Sequence, residues 1–181
     1  EFTALTQNHC GCGCNGHGGT VLGAGCSDVH CCGLMGQQAS LMPKFDVNAF
    51  SGEYVYPPSN PPYCGSIARR LQVHISDLDP AQNGGGLYFV DAQYVTPDDA
   101  AAGNQNNNPS YRPINIALGT WTASMTGSIR REQPGIRAWQ DNDSQETETD
   151  VAIPGEGLLI LAAKATDLGT GFWHYEYAVQ N

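Results

Sequence analysis

Six of the seven cysteines in this 181-residue chain lie close together, in the segment HCGCGCNGHGGTVLGAGCSDVHCC. The segment is rich in glycine, and its Gly-Gly, Asn-Gly and Cys-Gly pairs interrupt any regular helix or strand. A stretch of this kind has no apolar core, so covalent cross-links or a bound metal must hold its shape. We therefore expect a Gly/Cys-rich N-terminal head over residues 1–52 and a second region over residues 53–181.

Disulfide bonds are the first interpretation of the head, because they restrict the unfolded chain where no core can form. We expect at least two intrachain bridges within it, although the sequence does not select among the connectivities. The seventh cysteine lies after a proline-rich stretch, and it either pairs with a head cysteine or leaves one thiol over. The disulfide candidates are Cys10, Cys12, Cys14, Cys26, Cys31, Cys32 and Cys64.

A metal site is the alternative interpretation of the same head. His9, His17 and His30 are interleaved with the thiols, and imidazole and thiolate are the ligands that zinc and copper prefer. The C-x-C-x-C spacing lacks the C-x₂-C knuckle, so it matches no standard zinc finger. Both interpretations remain open at the level of sequence.

The chain is strongly acidic, with eight Lys and Arg against eighteen Asp and Glu and a net charge of −10. Such a surface repels a phosphate backbone over most of its area, so we do not expect nucleic acid as a partner. A divalent cation matches this charge better. The longest apolar run, Leu158–Ala163, is much shorter than a bilayer-spanning helix requires, so the sequence predicts no membrane span.

Composition indicates an extracellular protein. Charged residues make up only 14% of the chain, which also contains 22 Gly and 11 Pro, as is typical of β-rich secreted modules. The cysteine density favours an oxidising compartment, outside the cell or at its surface. The sequence begins at Glu1 with no signal peptide, so we expect that a leader has been removed or that this is an excised piece.

Short alternating segments separated by turn-forming residues predict an all-β fold, an antiparallel β-sandwich with a jelly roll as the near alternative. Leu158–Ala163 is expected to be a central strand that is buried on both faces. Polar loops are expected over Thr96–Ser110 and Gln140–Asp150. The other predicted strands are Leu71–Ser76, Leu87–Val95, Ile114–Ile116, Trp121–Ile129 and Phe172–Val179.

Acidic residues crowd three of the predicted loops. Calcium takes six to eight oxygen ligands, and carboxylates in turns supply them. No stretch has the spacing of a twelve-residue calcium loop, so solvated loops remain the alternative interpretation. The candidate calcium ligands are Asp77, Asp79, Asp98, Asp99, Asp141, Asp143 and Glu146.

No complete catalytic signature is present, since G-x-S-x-G, H-E-x-x-H and P-loop motifs are all missing, and we lean against an enzyme. Alternation in FWHYEY places Trp173, Tyr175 and Tyr177 on one face, which we expect to be a core face. The alternative is a carbohydrate-binding site, for which Trp139 and Trp173 are the candidate sugar-stacking residues.

Three motifs carry a resemblance to known proteins. LGAGCSD (Leu22–Asp28), YVTPDDAAAGNQNNNPSYR (Tyr94–Arg112) and AAKATDLGTGFWHYEYAVQN (Ala162–Asn181) resemble a family of uncharacterised secreted proteins from environmental bacteria. The resemblance implies an extracellular location and the domain type, but no activity. This chain departs from the family pattern at Val29–Cys32, which adds cysteines. Family members extend past both ends seen here, which would leave an open sheet edge in this chain.

An open edge is a template for strand addition by a neighbour. The functional prediction is therefore a secreted structural subunit that self-associates, as a strand-exchanged polymer or filament, and that is braced by disulfides and calcium. The alternative is a carbohydrate- or metal-binding module, with glycans, zinc or copper as ligands.

Overall fold

The computed structural model describes residues 44–55 and 72–181. Lys44–Tyr54 and Leu71–Asn181 belong to one compact unit. The cysteines and histidines of the predicted head, together with Cys64, lie outside the described residues, so the disulfide and metal interpretations stay predictions. The described part is mostly β, with two antiparallel sheets and few helices, which confirms the all-β prediction.

The first sheet has four strands and is built around β2. Its antiparallel pairings place β1 along one side of β2, while β3 pairs with the second half of β2 and β4 with the first half. Directly opposed residues in such pairs share a face of the sheet. The strands are β1 (Tyr88–Gln93), β2 (Pro109–Ala117), β3 (Thr122–Met125) and β4 (Arg130–Arg131).

Strand β2 begins inside the segment that was expected to be a polar loop. Proline cannot donate to a sheet ladder, so Pro109 and Pro113 weaken the strand signal in the sequence. Pro113 still accepts a hydrogen bond from Thr126 N–H at 2.9 Å through its carbonyl oxygen. The start of the same segment forms a short helix, α2 (Pro97–Ala101), whose N-terminus is capped by the Thr96 hydroxyl. The short helix agrees with the single helical turn that the DDAAAG stretch predicts, whereas the loop prediction was wrong at the end of the segment, where β2 begins.

The strand predicted over Leu71–Ser76 is also wrong in its described part. Residues 72–74 carry no regular structure, and Ile75–Leu78 form one turn of helix, α1. The His74 ring caps this turn, since its Nδ1 accepts the Ser76 N–H at 3.2 Å. Local side-chain hydrogen bonding of this kind competes with sheet formation.

The second sheet has three strands in the order β5–β6–β7, all antiparallel. The segment expected to be a second polar loop, Gln140–Asp150, instead contributes to a helix, α3 (Arg137–Asn142), and to the first of these strands. The strands are β5 (Thr147–Ile153), β6 (Gly157–Asp167) and β7 (Trp173–Gln180).

Strand β6 is central in the second sheet, as predicted, but it is buried on one face only. Ile160 and Ala162 are buried, whereas Leu161 between them is 41% exposed. The expectation of burial on both faces was wrong, because an apolar run does not show whether a second layer covers the sheet.

Helix α3 contacts both sheets. Its Ala138 is buried, its Asp141 accepts a hydrogen bond from Tyr111 of β2, and its Arg137 donates to Glu148 of β5. Two antiparallel sheets are thus established, whereas their stacking into a sandwich stays a prediction.

Candidate functional site

The pairing register of the second sheet divides its side chains between two faces. Leu161 lies opposite Val179, and Ala163 lies opposite Tyr177, so all four share one face. Apart from threonines and Asp167 beside the hairpin turn, this face is apolar. We call it the aromatic face, and its apolar residues are Val151, Ile153, Leu159, Leu161, Ala163, Ala165, Trp173, Tyr175, Tyr177 and Val179.

The aromatic face is largely open. Trp173 is 53%, Tyr175 57% and Tyr177 67% exposed, so the expectation that these residues form a core face was wrong. The rings of Tyr175 and Tyr177 stack nearly parallel, with centroids 6.4 Å apart and an angle of 10° between their planes. The alternation in the sequence identified the residues that share the face, but not their exposure.

The β6–β7 turn extends this apolar surface. Leu168 N–H donates to Phe172 O at 3.0 Å, which closes the turn, and both side chains are more than half exposed. Gly169 and Gly171 adopt positive φ angles of 71° and 79°, which glycine tolerates without a side-chain clash.

The opposite face of the second sheet carries the buried Ile160 and Ala162 together with charged side chains, and α3 contacts it. Arg137 donates to Glu148, and it also donates to Asp150 at 2.6 Å. Lys164 donates to Asp143 at 2.5 Å, and this hydrogen bond lowers the pKa of the Asp143 carboxyl. Three acidic residues of the segment 140–150, among them the calcium candidate Asp143, are thus already paired with Arg137 or Lys164.

Glu146 is the exception in this acidic segment. It is only 3% exposed, and neither carboxylate oxygen has a hydrogen-bond partner among the described residues. Burial raises the pKa of Glu146, and the nearby charge of Glu148 raises it further. An unpaired buried carboxylate is costly, which makes this position a weak point of the fold.

The seven candidate calcium ligands do not gather at one place. Asp77 belongs to α1 and Asp79 follows it, while Asp98 and Asp99 belong to α2. Asp99 accepts a hydrogen bond from Asn108. Within residues 44–55 and 72–181, no group of three or more His, Cys, Asp or Glu side chains is arranged to hold a metal ion.

The two candidate sugar-stacking residues lie on different elements. Trp139 is half-buried within α3, whereas Trp173 belongs to the aromatic face.

A polar junction ties the two sheets together. Gln180 of β7 donates to Asp91 of β1 at 2.9 Å, and its Oε1 accepts the Ile136 N–H at 2.8 Å. The same Asp91 oxygen accepts the Gly135 N–H at 3.1 Å. The segment just before α3 is thereby held by both sheets.

Sequence reasoning missed one further constellation, which joins β2, β4 and α3. Tyr111 donates to Asp141, and Arg130 Nε lies 3.6 Å from the same carboxylate oxygen. Burial, followed by the hydrogen bond to Asp141, raises the pKa of Tyr111 to about 12. No sequence spacing relates these three residues, since only the pairing of β4 with β2 places Arg130 beside Tyr111.

Comparisons with known proteins assign neither a family nor a function to this chain. No family model, no curated protein and no solved structure matches this chain. In the part of the chain that the structure describes, no helix combines the length and apolar character needed to cross a membrane.

Proposed function

We propose that this protein is an extracellular structural subunit that associates with further copies of itself through the aromatic face. The single observation that supports the proposal is the exposure of this face, whose three aromatic side chains are each more than half exposed. A contiguous apolar surface of this kind is characteristic of interaction sites. In the proposal, disulfides within the cysteine head brace each subunit.

The exposed area of the aromatic face is large enough for a contact with a second copy of the chain. Its exposed side chains present roughly 600 Å² of apolar surface, taking about 200 Å² for a fully exposed aromatic residue. The largest apolar patch on a typical monomer is about 300–600 Å². Two copies that cover each other would bury roughly 1,200 Å², which is at the lower limit for a specific interface.

The charge distribution also favours a second copy. The chain carries a net charge of −10, so most surfaces of two copies repel each other. Asp167, beside the turn, is the one carboxylate that the strand register places on the aromatic face, so this repulsion is weakest there. Face-to-face contact about a two-fold axis would add a second layer to the three-stranded sheet. Two sheets from different copies would then pack face to face.

Light scattering coupled to size exclusion tests the proposal. The wild-type chain at micromolar concentration is expected to run as a dimer or larger species whose mass rises with concentration. Replacing both tyrosines (Tyr175→Ser with Tyr177→Ser) is expected to give a monomer, because most of the aromatic surface is lost. The matched control changes the opposite face of the same strand, His174→Ser with Glu176→Ser, and should associate like the wild type.

The measurement is repeated with reductant, because intermolecular disulfides could otherwise produce the same mass. It is also repeated with and without Ca²⁺, since calcium binding stays a prediction. A wild-type chain that remains a monodisperse monomer under all of these conditions would contradict the proposal. Association that survives the double tyrosine substitution would place the contact elsewhere.

A further inference from the structure

A cleft on the first sheet is separate from the surface used in the proposed association. It has a volume of about 860 Å³ and lies between β1, β2, the segment after β3 and the end of α3. This volume is within the usual range for small-molecule sites. Polar and aromatic side chains both line the cleft, among them Phe89, Tyr111, Asn115, Arg130, Asp141 and Asn142.

Arg130 provides a positively charged group in this cleft. It lies directly opposite Tyr111 in the β2–β4 pairing, so both side chains are on the same face of the sheet. Asp141 lies 3.6 Å from the Nε atom, while 62% of the Arg130 side chain remains exposed. A guanidinium has five donors in a planar fork, so an arginine held on its Nε side can still bind a carboxylate.

The carboxylate that holds Arg130 is itself fixed. Tyr111 is only 2% exposed, and its hydroxyl donates to Asp141. Because the pKa of Tyr111 is raised to about 12, the phenol remains a donor over the physiological pH range. The carboxylate beside Arg130 is thus held in place by a buried phenol.

The remaining polar groups suit a sugar. Asn142 is one of the residues that line the cleft, and its Nδ2 donates to Ala138 O at 2.7 Å. Asn115 and Ser128 add an amide and a hydroxyl, and Phe89 adds an apolar ring. Amides and hydroxyls recognise sugar hydroxyls, while aromatic rings contact the apolar face of a sugar ring.

We propose that this cleft binds a saccharide that carries an isolated carboxylate, with Arg130 binding the carboxylate and the amides binding neighbouring hydroxyls. The net charge of −10 disfavours a dense polyanion, so the acidic sugar should occur within a largely neutral chain.

Two oligosaccharides of equal length test the proposal with the full chain. The acidic probe is glucuronosyl-xylotriose, and its neutral match is xylotetraose. Titration calorimetry should show that the wild type binds the acidic probe about tenfold or more tightly than the neutral probe, as a charge-assisted bidentate contact implies. Arg130→Gln should abolish this preference, and Arg130→Lys should restore only part of it, because lysine lacks the planar fork.

The neighbouring arginine provides the control. Arg131 has the same charge but lies opposite Ser110, on the other face of the sheet, and it does not line the cleft. Arg131→Gln should therefore change the affinity by no more than about twofold. Equal effects of the two substitutions would show a non-specific charge effect. Equal affinity for the two probes, or no binding of either, would overturn the proposal.

The outcome is independent of self-association. The monomeric variant with both tyrosines replaced should bind the acidic probe like the wild type, because the aromatic face belongs to the other sheet.

Discussion

Replacing Glu146 by an uncharged residue is expected to stabilise the protein at neutral and alkaline pH. The carboxylate is buried, its two oxygens lack hydrogen-bond partners among the described residues, and Glu148 adds repulsion. An unsatisfied buried polar group costs about 1–3 kcal/mol, and a charged one costs more. The nearby backbone N–H of Ala163, followed by the attraction of Arg137, offsets part of this cost. We therefore expect Glu146→Gln to raise the free energy of unfolding by about 2 kcal/mol at pH 8.

The stability gained by Glu146→Gln should increase as the pH rises. The raised pKa means that the folded state favours protonated Glu146. The stability contributed by this protonation is fully present below the pKa of an unfolded glutamate, about 4.3, and is lost as the pH rises through the folded pKa. The glutamine variant has no such loss. The difference between the two proteins should therefore be largest at pH 8 and should disappear near pH 4.

Thermal unfolding followed by circular dichroism between pH 4 and pH 8 measures this effect. For a chain of this size, about 2 kcal/mol corresponds to a rise in Tm of roughly 4–8 °C. Glu146→Met should be at least as stable, because it leaves no buried polar atom. Glu148→Gln is the matched control and should be destabilising, since it removes the carboxylate that pairs with Arg137. Parallel Tm–pH curves for wild type and Glu146→Gln would refute the reasoning.

Two further perturbations test the packing of the fold. Gly52→Ala should destabilise by about 3 kcal/mol or more, because Gly52 has a φ of 74° and an added Cβ would lie 2.3 Å from Thr96 O. Gly103→Ala, at a φ of 76° with open space around it, should cost only about 1 kcal/mol in the same denaturant titration, and equal losses would contradict the steric argument. Asp91→Ala and Gln180→Ala should each cost about 1–2 kcal/mol. The double variant should lose less than their sum, whereas full additivity would show that the two side chains do not interact.

The strands that the sequence predicted best are rich in aromatic and β-branched residues and follow a glycine-containing turn. This holds for β1 and β7, and β7 also alternates along its length. β2 was recognised only in part, because Pro109 and Pro113 are poor strand formers. β5 was read as a loop for its acidic residues, although TETDVAI does alternate. Arg137 binds two of those carboxylates, and this tertiary contact cannot be read from the strand itself.

For the candidate sites too, the sequence pattern predicts which residues share a strand face or a loop, but not which tertiary contacts they make. Period two places Trp173, Tyr175 and Tyr177 on one face, but it does not show whether another layer covers them. The acidic residues of the predicted calcium loop are close in sequence, yet several of them are engaged by Arg137 and Lys164. The Arg130 cleft depends on residues from β2, β4 and α3, so only the folded chain brings them together.

The junction at Gln180 has a consequence for the order of assembly. Gln180 and Asp91 are 89 positions apart in the sequence, so this contact must form after the local hairpins of each sheet. Strand β7 provides both this late contact and most of the exposed rings. The aromatic face, however, is built by β5, β6 and β7 alone, so it is complete once the hairpins of the second sheet have formed. A chain whose sheets have not yet joined would therefore already expose this apolar surface, and such exposure during folding favours aggregation.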